Sequence, residues 1–423
     1  MVLKMRKMKD SGIEWIGEIP EGWEIKRLGA ILQERNEVNN PIQTTIILSL
    51  TNNRGVIPYS EKGNQGNKAK DDLTGYKIAH IGDIVLNSMN VIIGSVGLSN
   101  YYGAVSPVYY MLFPRNNIET NIQYYNYLFQ TTAFQQSLRG YGNGILEIRM
   151  RIQMQKLKTV LLPVPTFLEQ SNITVYLDAS LSKLNILLSK TRSSIEEYKK
   201  LKQAVITQAV TKGVRGKRET KDSKIEWLGQ IPKEWKCQKL KYTIFPQNRP
   251  VFNTDEIITC FRDGIVTLRK NRREDGFTVS FTEHGYQGVE IGDLVIHGMD
   301  AFAGAIGCSD SRGKTTPVVH VCTTTGNNRF FMFFLRYMAY SNIFMDFSNG
   351  IRIRSSDFRN FTKLGIFDVL VPPIAEQNEI ADYLDAKCAE IDGLIAKKEQ
   401  LVKELESYKK SLIYEIVTGK REV

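Results

Sequence analysis

The sequence predicts an α+β protein in which two copies of one mixed α/β domain alternate with two long helices, the helices pairing antiparallel as a coiled coil about a pseudo-twofold axis. Three observations predict it: a repeat spanning half the chain, strand-like patterning early in each copy, and a heptad pattern late in each copy. At 423 residues the chain is also longer than one ordinary core supports.

The repeat is read directly. DSGIEWIGEIPEGW, Asp10 to Trp23, recurs as DSKIEWLGQIPKEW, Asp222 to Trp235. GDIVLNSMNVIIGSVG from Gly82 recurs as GDLVIHGMDAFAGAIG from Gly292, and Ser106-Pro107-Val108 as Thr316-Pro317-Val318. Asn143-Gly144-Ile145 returns as Asn349-Gly350-Ile351, and Glu169-Gln170 as Glu376-Gln377. The spacing drifts by only about five residues across the unit, so the repeat is a whole domain plus a helix rather than a short solenoid motif.

Each copy begins with Gly, Asn, Tyr and β-branched residues. Alternation such as Asp83-Ile84-Val85-Leu86-Asn87, between turn-forming Asn-Gly and Gly-Asn pairs, predicts short strands over residues 1–162 and 214–370. Long helices are predicted within 163–213 and 371–423. Thr166-x-x-Glu169 is a capping-box signature after Pro163 and Pro165, and Gly213 stands where the helix should stop. Pro372-Pro373 and Gly419 bracket the second helix in the same way.

Heptad counting gives one register for both helices. In the first, a positions carry Leu181, Leu188, Ile195, Lys202 and Ala209, and d positions Leu177, Leu184, Thr191, Tyr198 and Val205. In the second, a positions carry Cys388, Ile395, Val402, Lys409 and Ile416, and d positions Leu384, Ile391, Lys398, Leu405 and Leu412. Such a seam fits a coiled coil with rods of about 65–70 Å. Antiparallel pairing centred near Ser189 to Lys190 would bring Lys202 and Lys409 close to Asp385 and Asp178. It would also set residues 10 to 23 beside the end of the second helix, as residues 222 to 235 sit beside the end of the first.

Composition narrows the function. Lys+Arg 56 against Asp+Glu 45 gives a formal charge of +11, which suits a polyanionic partner. The longest apolar run, FFMFFLRYMAY, is broken by Arg336, far short of a bilayer span, and the N-terminus lacks the apolar stretch of a secretion signal. A cytoplasmic protein that avoids membranes is expected. Five cysteines, all in the second half and with no C-x-x-C pair, together with four scattered histidines, read as buried structural residues rather than a disulfide framework or metal site.

Catalytic motifs are missing. SRGKTTP, Ser311 to Pro317, fails as a phosphate loop because Cys308 stands where a glycine is needed and Pro317 would break the following helix. VPPIAEQ shares only its prolines with a methyltransferase tetrapeptide, Val371 standing where Asn or Asp is required. No G-x-G-x-x-G follows a strand, so no cofactor is expected on this chain, and it is read as non-catalytic.

Binding chemistry remains. Arg262 and the run Arg269, Lys270, Asn271, Arg272, Arg273 supply cations on a strand-loop region, and Arg352 and Arg354 alternate on an extended segment. In the first copy the corresponding loops carry Asn52, Asn53, Arg54, Lys62, Asn64, Gln65, Lys68 and Lys70. Asn87, Asn90 and His297, from the GDIV and GDLV segments, join these candidates. Cations neutralise phosphates, while Arg, Asn and Gln also read base edges. At matched places Asn53 stands against Arg262 and Arg54 against Asp263, one frame carrying unlike polar groups.

The twice-used SxIEWxGxIPxxW opening, the GDIV or GDLV strand, the P-x-x-EQ-x-x-I-x-x-x-LD segment, and the closing VTKG and VTGK resemble the specificity (S) subunits of type I restriction-modification systems over essentially the whole chain. The resemblance implies two target-recognition domains, each binding one half of a bipartite double-stranded DNA site. It implies two spacer helices, carrying Leu177, Leu184, Leu188, Ile195, Leu384, Ile391, Ile395, Leu405 and Leu412, that dock two methyltransferase (M) subunits. Adenine methylation with S-adenosylmethionine would occur on those partners, and ATP/Mg-driven cleavage on restriction/translocase (R) subunits. The alternative reading is a coiled-coil scaffold that binds protein without DNA specificity.

Overall fold

The computed structural model describes residues 6–52, 54–63, 68–143, 151–272, 284–344 and 358–423. Its chain is mixed α/β and forms two compact units, residues 1–191 with 400–423, and residues 192–399.

The strands of the first unit include β1 (Leu32–Arg35), β2 (Leu48–Thr51), β3 (Gly55–Pro58), β4 (Lys77–Ala79), β5 (Ile84–Asn87), β6 (Val96–Leu98), β7 (Gly103–Val105) and β8 (Tyr109–Pro114). They precede helix α1 (Ile122–Phe129) and the long α2 (Phe167–Lys212). An antiparallel sheet runs β1-β8-β5-β6, while β2 pairs with β3 as a hairpin and β4 with β7.

The second unit repeats this order. Its strands include β9 (Ile244–Pro246), β10 (Ile258–Cys260), β11 (Val266–Leu268), β12 (Gln287–Val289), β13 (Leu294–His297), β14 (Ile306–Cys308), β15 (Gly313–Thr315) and β16 (Val319–Thr324), followed by α3 (Asn328–Tyr340) and the long α4 (Ile374–Val417). The sheet runs β9-β16-β13-β14, the hairpin is β10-β11, and β12 pairs with β15. Ser311 to Pro317 thus supplies strand β15, which no phosphate-loop reading allows.

Alternation in the GDIV strand is present, but both of its faces are buried. Ile84 and Leu86 join the main core under α1, with Tyr124 and Leu128, whereas Val85 joins a second core with Leu48, Leu50 and Val56 of the hairpin. Leu294 and Ile296 face α3 in the same way, and Val295 faces Ile258, Cys260 and Val266. A strand covered on both sides reads as a continuous apolar run, because neither face meets water. The aromatic run of α3 is buried nearly all round, which explains its apolar sequence without a bilayer. Among the described residues no helix is long and apolar enough to cross a membrane.

The hairpin approaches the sheet so closely that glycine is required beneath it. A Cβ on Gly103 would lie 2.7 Å from the Ile46 carbonyl oxygen, and one on Gly313 would lie 2.5 Å from that of Glu256.

The long helices start and stop where their capping residues direct. Thr166 N–H donates to Glu169 Oε2 at 3.1 Å while Glu169 N–H donates to Thr166 Oγ1 at 3.3 Å, a reciprocal capping box. Gly213 and Gly419 follow the last turns with φ of 80° and 73°, the left-handed conformation that ends a helix cheaply at glycine. In the first unit Ile13, Ile16, Ile19 and Trp23 pack with Leu412, Ile413, Ile416 and Val417 at the end of α4. In the second, Leu228, Ile231 and Trp235 pack with Ile206, Ala209 and Val210 at the end of α2. Each tryptophan motif therefore sits beside a helix end, as the repeat requires.

The helix register differs from the expected one. Within the second unit Lys202 Nζ donates to Asp392 at 2.8 and 2.6 Å, and Arg215 reaches Glu379 at 2.8 and 2.7 Å, so the two segments run antiparallel. Within the first, Lys409 Nζ donates to Asn185 Oδ1 at 2.8 Å. Each lysine thus meets a residue one heptad beyond Asp385 or Asp178. A shift of one heptad leaves the same faces in the seam, so a/d patterning alone does not exclude it. The displaced carboxylates are occupied: Tyr127 donates to Asp178, and Arg329 to Asp385.

Candidate nucleic-acid interface

Strand pairing fixes which loop residues correspond. The β2-β3 ladder runs from Leu48↔Pro58 to Thr51↔Gly55 and leaves Asn52 and Arg54 at the tip. In the second unit Ile258↔Leu268 to Cys260↔Val266 is extended by Phe261 N–H donating to the Ile265 carbonyl at 2.9 Å, which leaves residues 262–264. This register matches Asn52, not Asn53, to Arg262, and Arg54 to Gly264 rather than Asp263. The one-residue error arose because the two tips carry their left-handed glycines at different places, Gly55 and Gly264.

The expected cation run follows β11 as a single 3-10 turn, Arg269–Asn271, and each described member has a protein partner. Arg269 Nε donates to Thr259 Oγ1 at 3.2 Å, Lys270 Nζ to Glu256 Oε1 at 2.7 Å, and Asn271 Nδ2 to Thr267 Oγ1 at 2.9 Å. Arg272 donates to both oxygens of Asp263, with Nη1 to Oδ1 at 2.9 Å, and its guanidinium lies over the Phe261 ring at 4.3 Å. Burial pushes the Asp263 carboxyl up, but the hydrogen bonds from Arg272 and the Ile265 N–H and the charges of Arg272 and Arg336 together hold the pKa below its ordinary value. Carboxylates from distant sequence therefore offset a patch that looks purely cationic along the chain.

The first unit closes the same loop with the charges exchanged. Arg54, at the hairpin tip, donates to Glu61 Oε2 at 2.5 Å and to the Glu61 carbonyl at 3.1 Å. Lys62 lies over the Tyr59 ring at 5.2 Å. Asn52, Lys68 and Lys70 are exposed. Asn53, Asn64, Gln65, Arg273, Arg352 and Arg354 lie outside the described residues.

A second group gathers where the GDIV and GDLV strands end. Asn87 Oδ1 accepts the Met89 N–H at 3.0 Å. His297, in the equivalent place, accepts the Met299 and Asp300 N–H groups on Nδ1 at 3.3 and 3.1 Å. With Nδ1 used as an acceptor, the neutral ring carries its proton on Nε2. Burial holds this imidazole below its usual pKa, against the opposing charge of Asp300. Asn90 is half-buried and its side chain makes no cap to the turn it precedes. Asp300, its counterpart, was not anticipated; it accepts from Arg262 Nη2 at 2.9 Å and so ties the hairpin tip to the strand end.

The motifs that define the repeat hold the frame. Trp23 Nε1 donates to Glu169 Oε1 at 3.3 Å, and Trp235 Nε1 to Glu376 Oε2 at 3.0 Å. Arg6 pairs with Glu169 and Arg218 with Glu376, each guanidinium lying over the same tryptophan at 5.6 and 5.3 Å. The neighbouring glutamines fix the domain helices: Gln170 Oε1 accepts from Asn121 N–H at 2.8 Å, and Gln377 Oε1 from Asn327 N–H at 2.9 Å. Asn121 and Asn327 are the N-caps of α1 and α3.

On the long helices Leu177, Leu188, Ile195, Leu384, Ile391 and Leu412 are buried within the chain, and Leu184, Ile395 and Leu405 are half-buried. The large apolar residues these helices expose include Val175, Ile186, Leu187, Leu201, Leu401 and Tyr408. Cys260, Cys322 and Cys388 are buried and Cys237 and Cys308 half-buried, but His284 is exposed, contrary to the structural role expected of it.

Residues 20–197 match the family described as Type I restriction modification DNA specificity domain. The chain is 26% identical over 435 residues to a protein of Methanocaldococcus jannaschii named as a type I restriction enzyme MjaX specificity subunit, covering 96% of this chain and 95% of that one. It is 24% identical over 455 residues to the type I restriction enzyme MjaVIII specificity subunit of the same organism, covering 99% and 98%. A solved chain from a study of complex assembly and conformational transition in the type I R-M system superposes with a TM-score of 0.68 at 13% identity, over 95% of this chain and 99% of that one. The HsdS subunit from Thermoanaerobacter tengcongensis superposes at 0.52, also at 13% identity, over 95% and 98%; at these identities the likeness concerns fold alone. The chain is thus similar in sequence, over nearly its whole length, to specificity subunits of type I restriction enzymes, and residues 20–197 match the DNA specificity domain of that family.

Proposed function

We propose that this chain recognises a bipartite double-stranded DNA target, one half-site for each of the domains at residues 1–162 and 214–370, and directs partner subunits to it. The observation that carries this reading is one strand framework used twice with unlike polar groups at its matched tips, Asn52 against Arg262 and Asn87 against His297. A reader of two different half-sites needs a constant frame and variable contacts. A protein-only scaffold has no such need, and the DNA specificity domain match does not favour it.

In this reading the helices at 163–213 and 371–423 form an antiparallel coiled-coil spacer about a pseudo-twofold axis. Their outward faces dock two methyltransferase (M) subunits, and restriction/translocase (R) subunits join the complex. S-adenosylmethionine and ATP/Mg act on those partners, in the cytoplasm, and this chain performs no chemistry of its own. Exchanging residues 236 to 347 for the equivalent segment of a relative tests the reading. One half of the recognised sequence should change and the other stay intact; changes in both halves would refute independent reading.

A further inference from the structure

In the second unit the hairpin tip and the strand end meet in one polar site, through Arg262 and Asp300, and the matching positions of the first unit carry different chemistry. The first unit carries three neutral amides, Asn52, Asn87 and Asn90. The second carries Arg262, His297 and Asp300 in the same places. Around them the framework is unchanged: Gly94 and Gly304 both close the following turn with φ of 96° and 90°, and Asp83 and Asp293 both hold an arginine, Arg35 and Arg249.

Within the second unit Arg262 differs from the neighbouring cations. Arg272 spends both arms of its guanidinium on Asp263 and lies over the Phe261 ring, and Lys270 is neutralised by Glu256. Arg262 reaches out with 68% of its side chain exposed and gives a single N–H, from Nη2, to Asp300 Oδ1. Its remaining N–H groups make no hydrogen bond to the described residues. Asp300 is itself fixed, since its backbone N–H is held by His297 Nδ1 at 3.1 Å. The outcome is a guanidinium aimed by a carboxylate, with a fork of donors left for an outside partner.

We propose that Arg262 reads a guanine in the half-site of the second unit, and that Asp300 is its positioning residue. A guanine edge presents two acceptors, N7 and O6, in the spacing of the guanidinium fork, and holding the fork in advance lowers the ordering cost of each contact. An isolated phosphate contact has no need of a carboxylate beside the arginine, which would reduce the attraction it depends on. An amide in the same place, as at Asn52, suits an adenine edge instead, so two half-sites can be distinguished on one frame. This inference rests on the proposed DNA-reading function.

Selection of bound duplexes from a randomised DNA library by the full-length chain, followed by sequencing, tests both separately. The wild-type chain is expected to select two short motifs at fixed spacing. Arg262→Asn should abolish a guanine preference of about 10- to 100-fold at one base pair of one motif, leaving every other position unchanged. Asp300→Asn should weaken that same preference with the melting temperature unaltered, an outcome that a merely structural role does not give. Loss of binding that is uniform over all positions, with a flatter salt dependence, would mark Arg262 as a phosphate contact and overturn the proposal. An unchanged motif would overturn it too. A wild-type chain that selects no motif would defeat the DNA-reading function itself, and the guanine assignment with it.

Discussion

The indole N–H of Trp235 donates to the buried carboxylate of Glu376 at 3.0 Å, 141 residues away in sequence, just as Trp23 donates to Glu169. This bond explains why the opening SxIEWxGxIPxxW and the P-x-x-EQ segment occur together: one supplies the donor and the other the acceptor of a single clamp at the start of a long helix. The clamps differ in depth, Glu376 being 2% exposed at its side chain and Glu169 30%. Trp235→Phe keeps the ring packing but removes the donor, and should cost about 1–3 kcal/mol because a buried carboxylate loses a partner. Trp23→Phe should cost less, since water reaches Glu169. Urea titration of the two variants measures the difference.

Gly103→Ala and Gly313→Ala each place a Cβ against a backbone carbonyl that strand pairing holds in position. The strain cannot be relieved by a side-chain rotation, so each is expected to destabilise its unit by about 1–3 kcal/mol. Gly12→Ala and Gly292→Ala meet no such atom and pay only for their positive φ. Thermal unfolding of the four variants should therefore separate into two classes, the first pair melting lower.

The repeat, the long helices and their ends were legible because they depend on local signals: Thr166 with Glu169, prolines before each helix, and Gly213 and Gly419 after. Double burial of the GDIV strand was not, since Val85 looks the same whether its face meets water or the hairpin of Leu48 and Val56. Asn52, Arg54 and Arg262 lie in turns, whereas Asn87 and His297 end strands and Arg269–Asn271 form a 3-10 turn. Their electrostatics were illegible, because Glu256, Asp263 and Asp300 reach the cations only through the fold. The helix register was underdetermined for a different reason, the seven-residue period permitting more than one alignment.

His297 carries a pH-dependent contribution whose sign follows from its depressed pKa. In the unfolded chain the imidazole takes up a proton near pH 6.5; in the fold, burial opposes this, and Nδ1 must release two backbone N–H groups to accept one. The unfolded state therefore binds more protons as pH falls below about 6.5, and the second unit loses stability from that point downward until the folded pKa is reached. His297→Asn installs the first unit's residue, Asn87, at this place and should flatten the pH dependence of the melting temperature between pH 7.5 and 5.5. An undiminished slope would assign the titration to another group.

Lys202 gives the sharpest test of how the helical segments align within the second unit. The sequence reading pairs it with Asp385, whereas the structure pairs it with Asp392 through both carboxylate oxygens. Asp392 is 54% exposed, so the ion pair is screened by solvent and a coupling of roughly 0.2–1 kcal/mol is expected from a double-mutant cycle of Lys202→Ala with Asp392→Ala. The parallel cycle with Asp385→Ala should give a coupling near zero, although that single substitution carries its own cost because Arg329 loses a partner. Raising the salt concentration should shrink the first coupling and leave the second at zero. A larger coupling to Asp385 than to Asp392 would return the segments to the register one heptad away, which the same apolar seam also satisfies.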